Sequence, residues 1–242
     1  MSMLPQEFPE PTAQCPLDVH GLIQPAREVG GDLYDFFTTE TGALCFFVGD
    51  VSGKGMPAAL FMARTKSLIR IATELMCGRD ADIGPAEIIG RVNRELCQNN
   101  NDLMFVTLFF GMLNPTTGEV AYCNAGHNPP YRTSSAQLTT IDDGKGIILG
   151  VRPQATYRTG TLTLAPGETL YLFSDGVTEA HDPTGALFSE ERLEAALRAA
   201  AGARSHDVVE KVTAAVKDFV GSALPSDDIT MLALRRVDAS AI

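Results

Sequence analysis

The stretch Gly49-Asp-Val-Ser-Gly-Lys-Gly-Met-Pro-Ala-Ala-Leu60 joins an apolar segment to a long helical pattern through a glycine-rich turn. The apolar segment, Ala43–Asp50, is short, which is typical of a buried strand. Pro57 suits the first turn of a helix, and the pattern after it predicts a helix that extends to about Met76. An aspartate therefore lies at the end of a predicted strand, beside a glycine and shortly before a helix.

Outward from this junction, groups of strands alternate with pairs of helices. Strands are predicted over Leu17–Gln24, Leu33–Thr38, Ala43–Asp50, Met104–Leu113, Glu119–Asn124, Thr161–Leu164, Glu168–Ser174 and Ile229–Arg236. Pro166-Gly167 indicates a turn that pairs the two strands on either side of it. Few strands are joined by single helical crossovers, which argues against a doubly wound parallel sheet. The order predicts an α+β fold, a sandwich of two antiparallel sheets with helix pairs outside.

The helices are predicted over residues 57–76, 85–98, 189–201 and 205–222. In the first helix, six apolar residues lie near one face: Leu60, Ala63, Leu68, Ile71, Ala72 and Leu75. We expect residues 1–16, which contain four prolines, to be a linker or the remnant of an upstream regulatory region. The last strand joins a sheet begun far earlier, so 17–237 is expected to be one domain, with 238–242 as a tail.

Composition narrows the function classes. The chain has 242 residues, 45% of them hydrophobic, and a net charge of −11, so global disorder is excluded and no basic footprint for nucleic acid or anionic membrane is visible. Residues 1–15 have no basic region followed by an apolar stretch, so we do not expect them to be a secretory signal, and the absence of an apolar run of about 18 residues argues against a transmembrane helix. The five cysteines include no C-x-x-C pair, which favours reduced thiols in a cytoplasmic protein.

Acidic residues recur beside glycine near the ends of predicted strands. They are Asp32, Asp50, Asp175, Asp227 and Asp228. Any one of them could be an ordinary turn or capping residue. As a set without clustered histidine or cysteine, they favour hard cations, Mg²⁺ or Mn²⁺.

The motifs around these aspartates resemble those of the PP2C (PPM) metal-dependent protein serine/threonine phosphatases, in the bacterial SpoIIE/RsbU-like branch. The matching stretches occur in family order over roughly residues 17–237. They are Pro25-Ala-Arg-Glu-Val-Gly-Gly-Asp-Leu-Tyr-Asp35, Gly49–Leu60, Asn124-Ala-Gly-His-Asn-Pro-Pro130, Leu172-Phe-Ser-Asp-Gly-Val-Thr-Glu179 and Asp227-Asp-Ile-Thr230. The resemblance implies a four-layer α-β-β-α sandwich with a site at one edge that holds two Mn²⁺ or Mg²⁺ ions.

The resemblance also implies a role for each residue of the site. Asp50 would bridge both ions, and the Val51 carbonyl and Asp32 would serve one of them. Asp175 and Asp227 would hold the other, with Asp228 as the alternative register for Asp227. Two such ions can acidify a shared water, and the resulting hydroxide would attack the phosphorus of phosphoserine or phosphothreonine.

Three further positions bear on substrate binding and proton transfer. Arg27 is predicted to bind the substrate phosphate, although a plain surface arginine is the alternative. Gly31 and Ser52 depart from the eukaryotic pattern, which has a glutamate and a histidine there. Because that histidine is a proposed general acid, the leaving-group proton would have to come from elsewhere, from a metal-bound water or from His127. A structural role is the favoured interpretation of His127.

The resemblance implies a phosphorylated anti-sigma-factor antagonist, a STAS-type domain, as the substrate. It also implies an upstream sensor or receiver domain, which would act through residues 1–16 and the helices over 57–76 and 85–98; homodimerisation is left open. The alternatives are a catalytically silent pseudophosphatase that binds a partner and a phosphatase for small metabolites.

Overall fold

The computed structural model describes residues 4–26, 30–78, 83–135 and 137–238. Its strands are β1 (Leu17–Gln24), β2 (Leu33–Thr38), β3 (Leu44–Val51), β4 (Val106–Leu113), β5 (Glu119–Ala125), β6 (Tyr131–Thr133), β7 (Leu138–Thr140), β8 (Gly160–Thr163), β9 (Thr169–Phe173) and β10 (Ile229–Arg236). Its helices are α1 (Met56–Cys77), α2 (Pro85–Leu96), α3 (Asp175–Thr178), α4 (Ser189–Ala199) and α5 (Ser205–Val220). The short elements β6, β7 and α3 were not predicted from the sequence.

The strands form two five-stranded sheets whose neighbouring strands run antiparallel. The first sheet has the order β1-β10-β9-β6-β7 and the second the order β2-β3-β4-β5-β8. Helices α4 and α5 pack on the first sheet, and α1 and α2 pack on the second. The predicted α+β fold with an α-β-β-α layer order is therefore confirmed.

Strand β10 shows how alternation builds two apolar layers. Leu232 and Leu234 belong to the core shared with the second sheet, whereas Met231 and Ala233 belong to the core under α4 and α5. Successive side chains of a strand point to opposite faces, so a strand between two packed layers is apolar at every position. The register with β1 runs along all of β10, from Ile229 opposite Gln24 to Arg236 opposite Leu17.

The strand pair predicted around Pro166-Gly167 is wrong. Strand β8 pairs with β5 in the second sheet, whereas β9 pairs with β10 and β6 in the first. The connection crosses between sheets, because the Leu164 amide donates to the Gly118 carbonyl (2.8 Å) and the Gly167 amide donates to the Arg236 carbonyl (2.7 Å). A proline-glycine turn can bend the chain within a hairpin or between two sheets, so it does not specify which strands pair.

The apolar face predicted for the first helix is also not its buried face. Leu60, Ile71 and Leu75 are 64%, 53% and 56% exposed, while Phe61 and Ile69 are buried against the sheet. Helix α1 is apolar on more than one side, so periodicity alone did not decide which side faces the core. An apolar stripe remains on the outer surface of α1.

The segment before β1 lies against the sandwich. The Leu4 side chain is buried in the core, the Tyr34 hydroxyl donates to the Pro5 carbonyl (2.7 Å), and the Phe8 ring contacts His20 and Phe36. Residues 4–16 contain no helix or strand. In the described part of the chain, no helix combines the length and the apolar character needed to span a membrane.

Candidate metal centre

The aspartates singled out in the sequence lie where ends of both sheets meet. Asp32 directly precedes Leu33, which pairs with Gly49, so Asp32 and Asp50 lie at the same end of β2 and β3. Asp175 begins α3 just after β9, and Asp227 and Asp228 directly precede β10. Because β9 and β10 are neighbours, both of these segments come to one edge of the first sheet.

The carboxyl groups of this acidic cluster (Asp32, Asp50, Asp175 and Asp227) repel one another. Burial raises the pKa of Asp32 well above its usual range, and the charge of Asp50 adds to the shift, while the nearby Ser174 and Thr230 hydroxyls oppose it. Burial, followed by the charges of Asp175 and Asp227, raises the pKa of Asp50 to about 7. Burial and then Asp227 raise the pKa of Asp175. The mutual repulsion of these carboxylates and their burial therefore outweigh the effect of the neighbouring Lys54 charge on the pKa of Asp175.

The donor chemistry of this cluster suits a hard divalent cation. The Asp32 Oδ2 atom is buried without a hydrogen-bond partner, and the donor set consists of oxygens, which Mg²⁺ and Mn²⁺ prefer. Within residues 4–26, 30–78, 83–135 and 137–238, however, no three acidic, histidine or cysteine side chains lie close enough together to hold a metal ion. A bound ion would therefore have to draw the carboxylates together, and their repulsion would fall as it did so.

The Val51 carbonyl lies on the side of the cluster that carries Asp32. Val51 ends β3 and is buried, and a Cβ atom placed on Gly31 would lie 2.7 Å from its carbonyl oxygen. Glycine at position 31 therefore permits the backbone of the Asp32 loop to approach this carbonyl. The eukaryotic glutamate would not fit here without a shift of the backbone.

Asp227 and Asp228 have different surroundings. The buried Asp228 carboxylate accepts from the amides of Ala26 (2.8 Å), Gly31 (2.8 Å) and Asp32 (3.4 Å). The half-exposed Asp227 carboxylate contacts the Lys54 ammonium (3.0 Å). This geometry favours Asp227 as the ligand and assigns Asp228 to holding the loop that carries Asp32.

Two glycines make room for Asp228. A Cβ atom on Gly30 would overlap the Asp228 carboxylate, and one on Gly176 would overlap the Asp228 carbonyl oxygen. The glycine beside each of these acidic segments thus allows close packing of backbone against backbone at the site.

Lys54 belongs to the site and was missed by the sequence reasoning. Its ammonium donates to the Ser226 carbonyl (2.9 Å) and to Asp227 (3.0 Å), so it lies over the cluster as a cation. Its neighbours Gly53 (φ 86°) and Gly55 (φ 77°) adopt left-handed conformations that shape the turn between β3 and α1. A lysine between two glycines, directly after a ligand-bearing strand, was the available signal.

Ser52, which replaces the eukaryotic histidine, and His127, the candidate proton donor, both make contacts within the protein. The Ser52 hydroxyl accepts from the Phe105 amide (2.9 Å) and ties the turn to the segment before β4. His127 is buried, its Nδ1 lies 2.8 Å from the Thr107 hydroxyl, and burial lowers its pKa to about 4. Both side chains therefore have structural surroundings. Arg27 lies outside the described residues.

Comparison with known proteins identifies the family to which this chain is related. The sequence model of the family described as Stage II sporulation protein E (SpoIIE) matches residues 40–237. The chain is 31% identical over 239 residues to Protein IcfG of Synechocystis sp. (strain ATCC 27184 / PCC 6803 / Kazusa), covering 90% of this chain and 38% of that protein. It is 30% identical over 221 residues to phosphoserine phosphatase RsbU of Bacillus subtilis (strain 168), covering 91% and 63%.

Among solved structures, the chain is similar to the SiaA-PP2C domain of Pseudomonas aeruginosa. The TM-score is 0.78 at 26% identity, with 90% of this chain and 85% of that chain covered. The PP2C-like architecture of the sandwich is therefore confirmed. The chain spans less than two thirds of the length of IcfG and of RsbU.

Proposed function

Since this chain belongs to the SpoIIE family of PP2C-like phosphatase domains, we propose that it is a metal-dependent protein phosphatase acting on phosphoserine or phosphothreonine. The observation that carries the proposal is the acidic cluster at the meeting edge of the two sheets. Its members are separated in sequence, and the charges of Asp175 and Asp227 contribute to the raised pKa of Asp50, which supports a shared site. The relationship to RsbU, which is named a phosphoserine phosphatase, supports the reaction class.

Asp32, Asp50, Asp175, Asp227 and the Val51 carbonyl would hold two Mn²⁺ or Mg²⁺ ions. When bound, such ions neutralise phosphoryl oxygens and lower the pKa of water. Asp50, whose pKa is raised to about 7, must lose its proton to serve as a ligand. Asp228 keeps the Asp32 loop in place through three backbone amides.

Lys54 is proposed to bind an oxygen of the substrate phosphate. Its ammonium contacts Asp227 only through a half-exposed ion pair, so it can exchange this partner at little cost. Arg27 remains a second proposed phosphate ligand.

The test of the proposed function is hydrolysis of para-nitrophenyl phosphate with and without Mn²⁺. We expect Mn²⁺-dependent release of phosphate. Asp175→Asn should lower the rate of release about 100-fold or more, because losing a metal ligand should cost at least as much activity as losing a residue that hydrogen-bonds to a ligand. Asp218→Asn, an exposed carboxylate on α5, is the matched control and should keep full activity. Mn²⁺ binding without any hydrolysis would contradict the proposal and indicate a pseudophosphatase.

The proposed substrate is a phosphorylated anti-sigma-factor antagonist of the STAS type, in a cytoplasmic signalling pathway. The resemblance of the motifs to the SpoIIE/RsbU-like branch supports this choice, and the name of RsbU, a phosphoserine phosphatase, is consistent with a phosphoserine substrate. We expect kcat/KM for such a phosphoprotein to exceed that for a small metabolite phosphoester by orders of magnitude. Equal values for the two would instead indicate a phosphatase for small metabolites.

An upstream sensor or receiver domain is the proposed regulator, acting through residues 1–16 and the outer surface of α1 and α2, with homodimerisation as a second use of that surface. The exposed Leu60, Ile71 and Leu75 support this surface, because exposed apolar patches mark contacts with partners. Helix α1 begins at Met56, shortly after Asp50, so a movement of α1 would reposition this proposed ligand. Equal activity and equal metal affinity with and without the natural upstream region would contradict this proposal.

A further inference from the structure

A groove of about 190 Å³ opens beside the acidic cluster. It lies between the C-terminal half of α5, the loop Gly221–Ser226, the start of β10 and the residues after α3. Asp227 lines this groove and also faces Lys54 in the proposed metal site. The groove is therefore continuous with the place where a phosphate group would bind.

The inner surface of the groove is apolar although it is open to solvent. Val216 and Met231 form buried parts of its wall, and Val220 and Ile229 are partly exposed. Leu224, in the loop, is 82% exposed, which leaves a large apolar side chain in water beside an apolar groove. Such a concave apolar surface next to a reactive site favours the binding of an apolar group.

We propose that this groove binds a large aliphatic or aromatic side chain of the phosphoprotein substrate, a few residues from its phosphoserine. This inference rests on the proposed function. A substrate whose phosphate lies at the acidic cluster must pass its flanking residues over the adjoining surface, at about 3.3–3.6 Å per residue. One of the first few residues on one side of the phosphoserine therefore reaches the groove.

The groove would supply selectivity that the acidic cluster lacks. Lys54 and the ions that the aspartates would hold recognise only the phosphate group, which is common to every phosphate monoester. Apolar contacts beyond Asp227 distinguish one phosphorylated sequence from another, because removing a well-buried apolar group lowers kcat/KM by about tenfold or more. Leu224 would be covered by the same substrate residue that enters the groove.

The test uses the full chain with Mn²⁺ and a set of phosphoserine peptides. Leucine replaces alanine at each of about four positions on either side of the phosphoserine. Phosphate release gives kcat/KM, and fluorescence anisotropy of labelled peptides gives affinity without requiring turnover. The readout is the leucine-to-alanine ratio at each position, in which any general effect on the acidic cluster cancels.

We expect one position, or two on one side, at which leucine raises kcat/KM by about tenfold or more. Leu224→Ser should reduce this ratio several-fold. Leu103→Ser is the matched control and should keep the ratio, because Leu103 is 80% exposed and lies outside the groove.

Two results would overturn the inference: a flat peptide series with active enzyme, or a ratio that falls equally in both variants. Loss of hydrolysis with the leucine preference retained in the anisotropy measurement would overturn the proposed function and leave the groove assignment supported.

Discussion

Two neighbouring aspartates show how strongly the surroundings of a residue decide its role. Asp228 satisfies three backbone amides, whereas Asp227 makes a half-exposed ion pair with Lys54. Unpaired buried amides cost about 1–3 kcal/mol each, and exposed ion pairs contribute about 0–1 kcal/mol. In metal-free protein we therefore expect Asp228→Ala to lower the free energy of unfolding by about 2 kcal/mol or more in urea.

Asp227→Ala should change that free energy by less than about 1 kcal/mol and should instead weaken Mn²⁺ binding, measured by titration calorimetry. The reverse pattern, a stable Asp228→Ala that does not bind Mn²⁺, would assign the ligand to Asp228.

The buried His127 gives the unfolding free energy a pH dependence of known sign. Its pKa is lowered from 6.5 to about 4 in the fold by burial, so between these values the unfolded chain binds a proton that the folded chain does not. Stability should therefore fall as the pH decreases through this window, at up to about 1.4 kcal/mol per pH unit.

Other groups titrate in the same range, so the measurement is the difference between wild type and His127→Gln. That difference should shrink steadily from pH 6.5 to pH 4.5 in chemical denaturation. A pH-independent difference would mean that His127 takes up its proton as readily in the fold as in the unfolded chain.

At the residue scale, the sequence was a better guide to which residues belong to the candidate site than to the contacts that each of them makes. The glycine-flanked aspartates were recognisable because backbone and ligand approach closely at such positions. The role of Lys54 was not recognised, because the glycines on either side of it mark a turn but do not indicate which group its ammonium contacts. The surroundings that separate Asp228 from Asp227 depend on the amides of Ala26, Gly31 and Asp32, which lie about 200 residues earlier in the chain.

At the scale of elements, a buried ion pair ties α1 to β2. The buried Asp35 carboxylate accepts hydrogen bonds from two of the three guanidinium nitrogens of Arg70, Nε at 2.6 Å and Nη2 at 2.8 Å, and the Lys66 ammonium lies 3.3 Å away. Because Arg70 is partly exposed, Arg70→Ala should cost about 2 kcal/mol of unfolding free energy, between the values for exposed and buried pairs.

The control is Arg91→Ala, which removes an exposed pair with Glu95 on α2 and should cost less than about 0.5 kcal/mol. The Asp35→Ala/Arg70→Ala double variant should lose less than the sum of the single variants, because the two residues interact. If the losses of unfolding free energy in the two single variants simply added up in the double variant, Asp35 and Arg70 would not interact.

Element bounds were predictable to within a few residues, but their partners were less so. The first and last strands were predicted with the bounds that the structure shows, Leu17–Gln24 and Ile229–Arg236. The sequence did not show which strands pair on either side of Pro166-Gly167 or which face of α1 is buried. Both depend on contacts with elements that are distant in the sequence.

At the scale of the whole molecule, the proposed ions would join the two sheets. Asp32 and Asp50 come from the second sheet, and Asp175 and Asp227 come from the first. Mn²⁺ should therefore raise the thermal unfolding midpoint, and a chelator should reverse the rise, because an ion that binds only the folded state stabilises it. The measurement is differential scanning calorimetry at several Mn²⁺ concentrations.

Asp32→Asn and Asp175→Asn should each reduce this rise, whereas Asp218→Asn should keep it. A rise that is unchanged in both cluster variants would place the stabilising ion elsewhere on the molecule.

The place of β10 has a consequence for how this protein is made. The last strand of the chain lies inside the first sheet, between β1 and β9. During synthesis, β1 and β9 leave the ribosome before β10, the strand that lies between them. The backbone amides and carbonyls along the edges that they present to β10 stay unpaired until it is made. A chain stalled or cut before Asp227 would lack both β10 and Asp227, so incomplete products should be bound by chaperones or degraded by proteases before the proposed site can form.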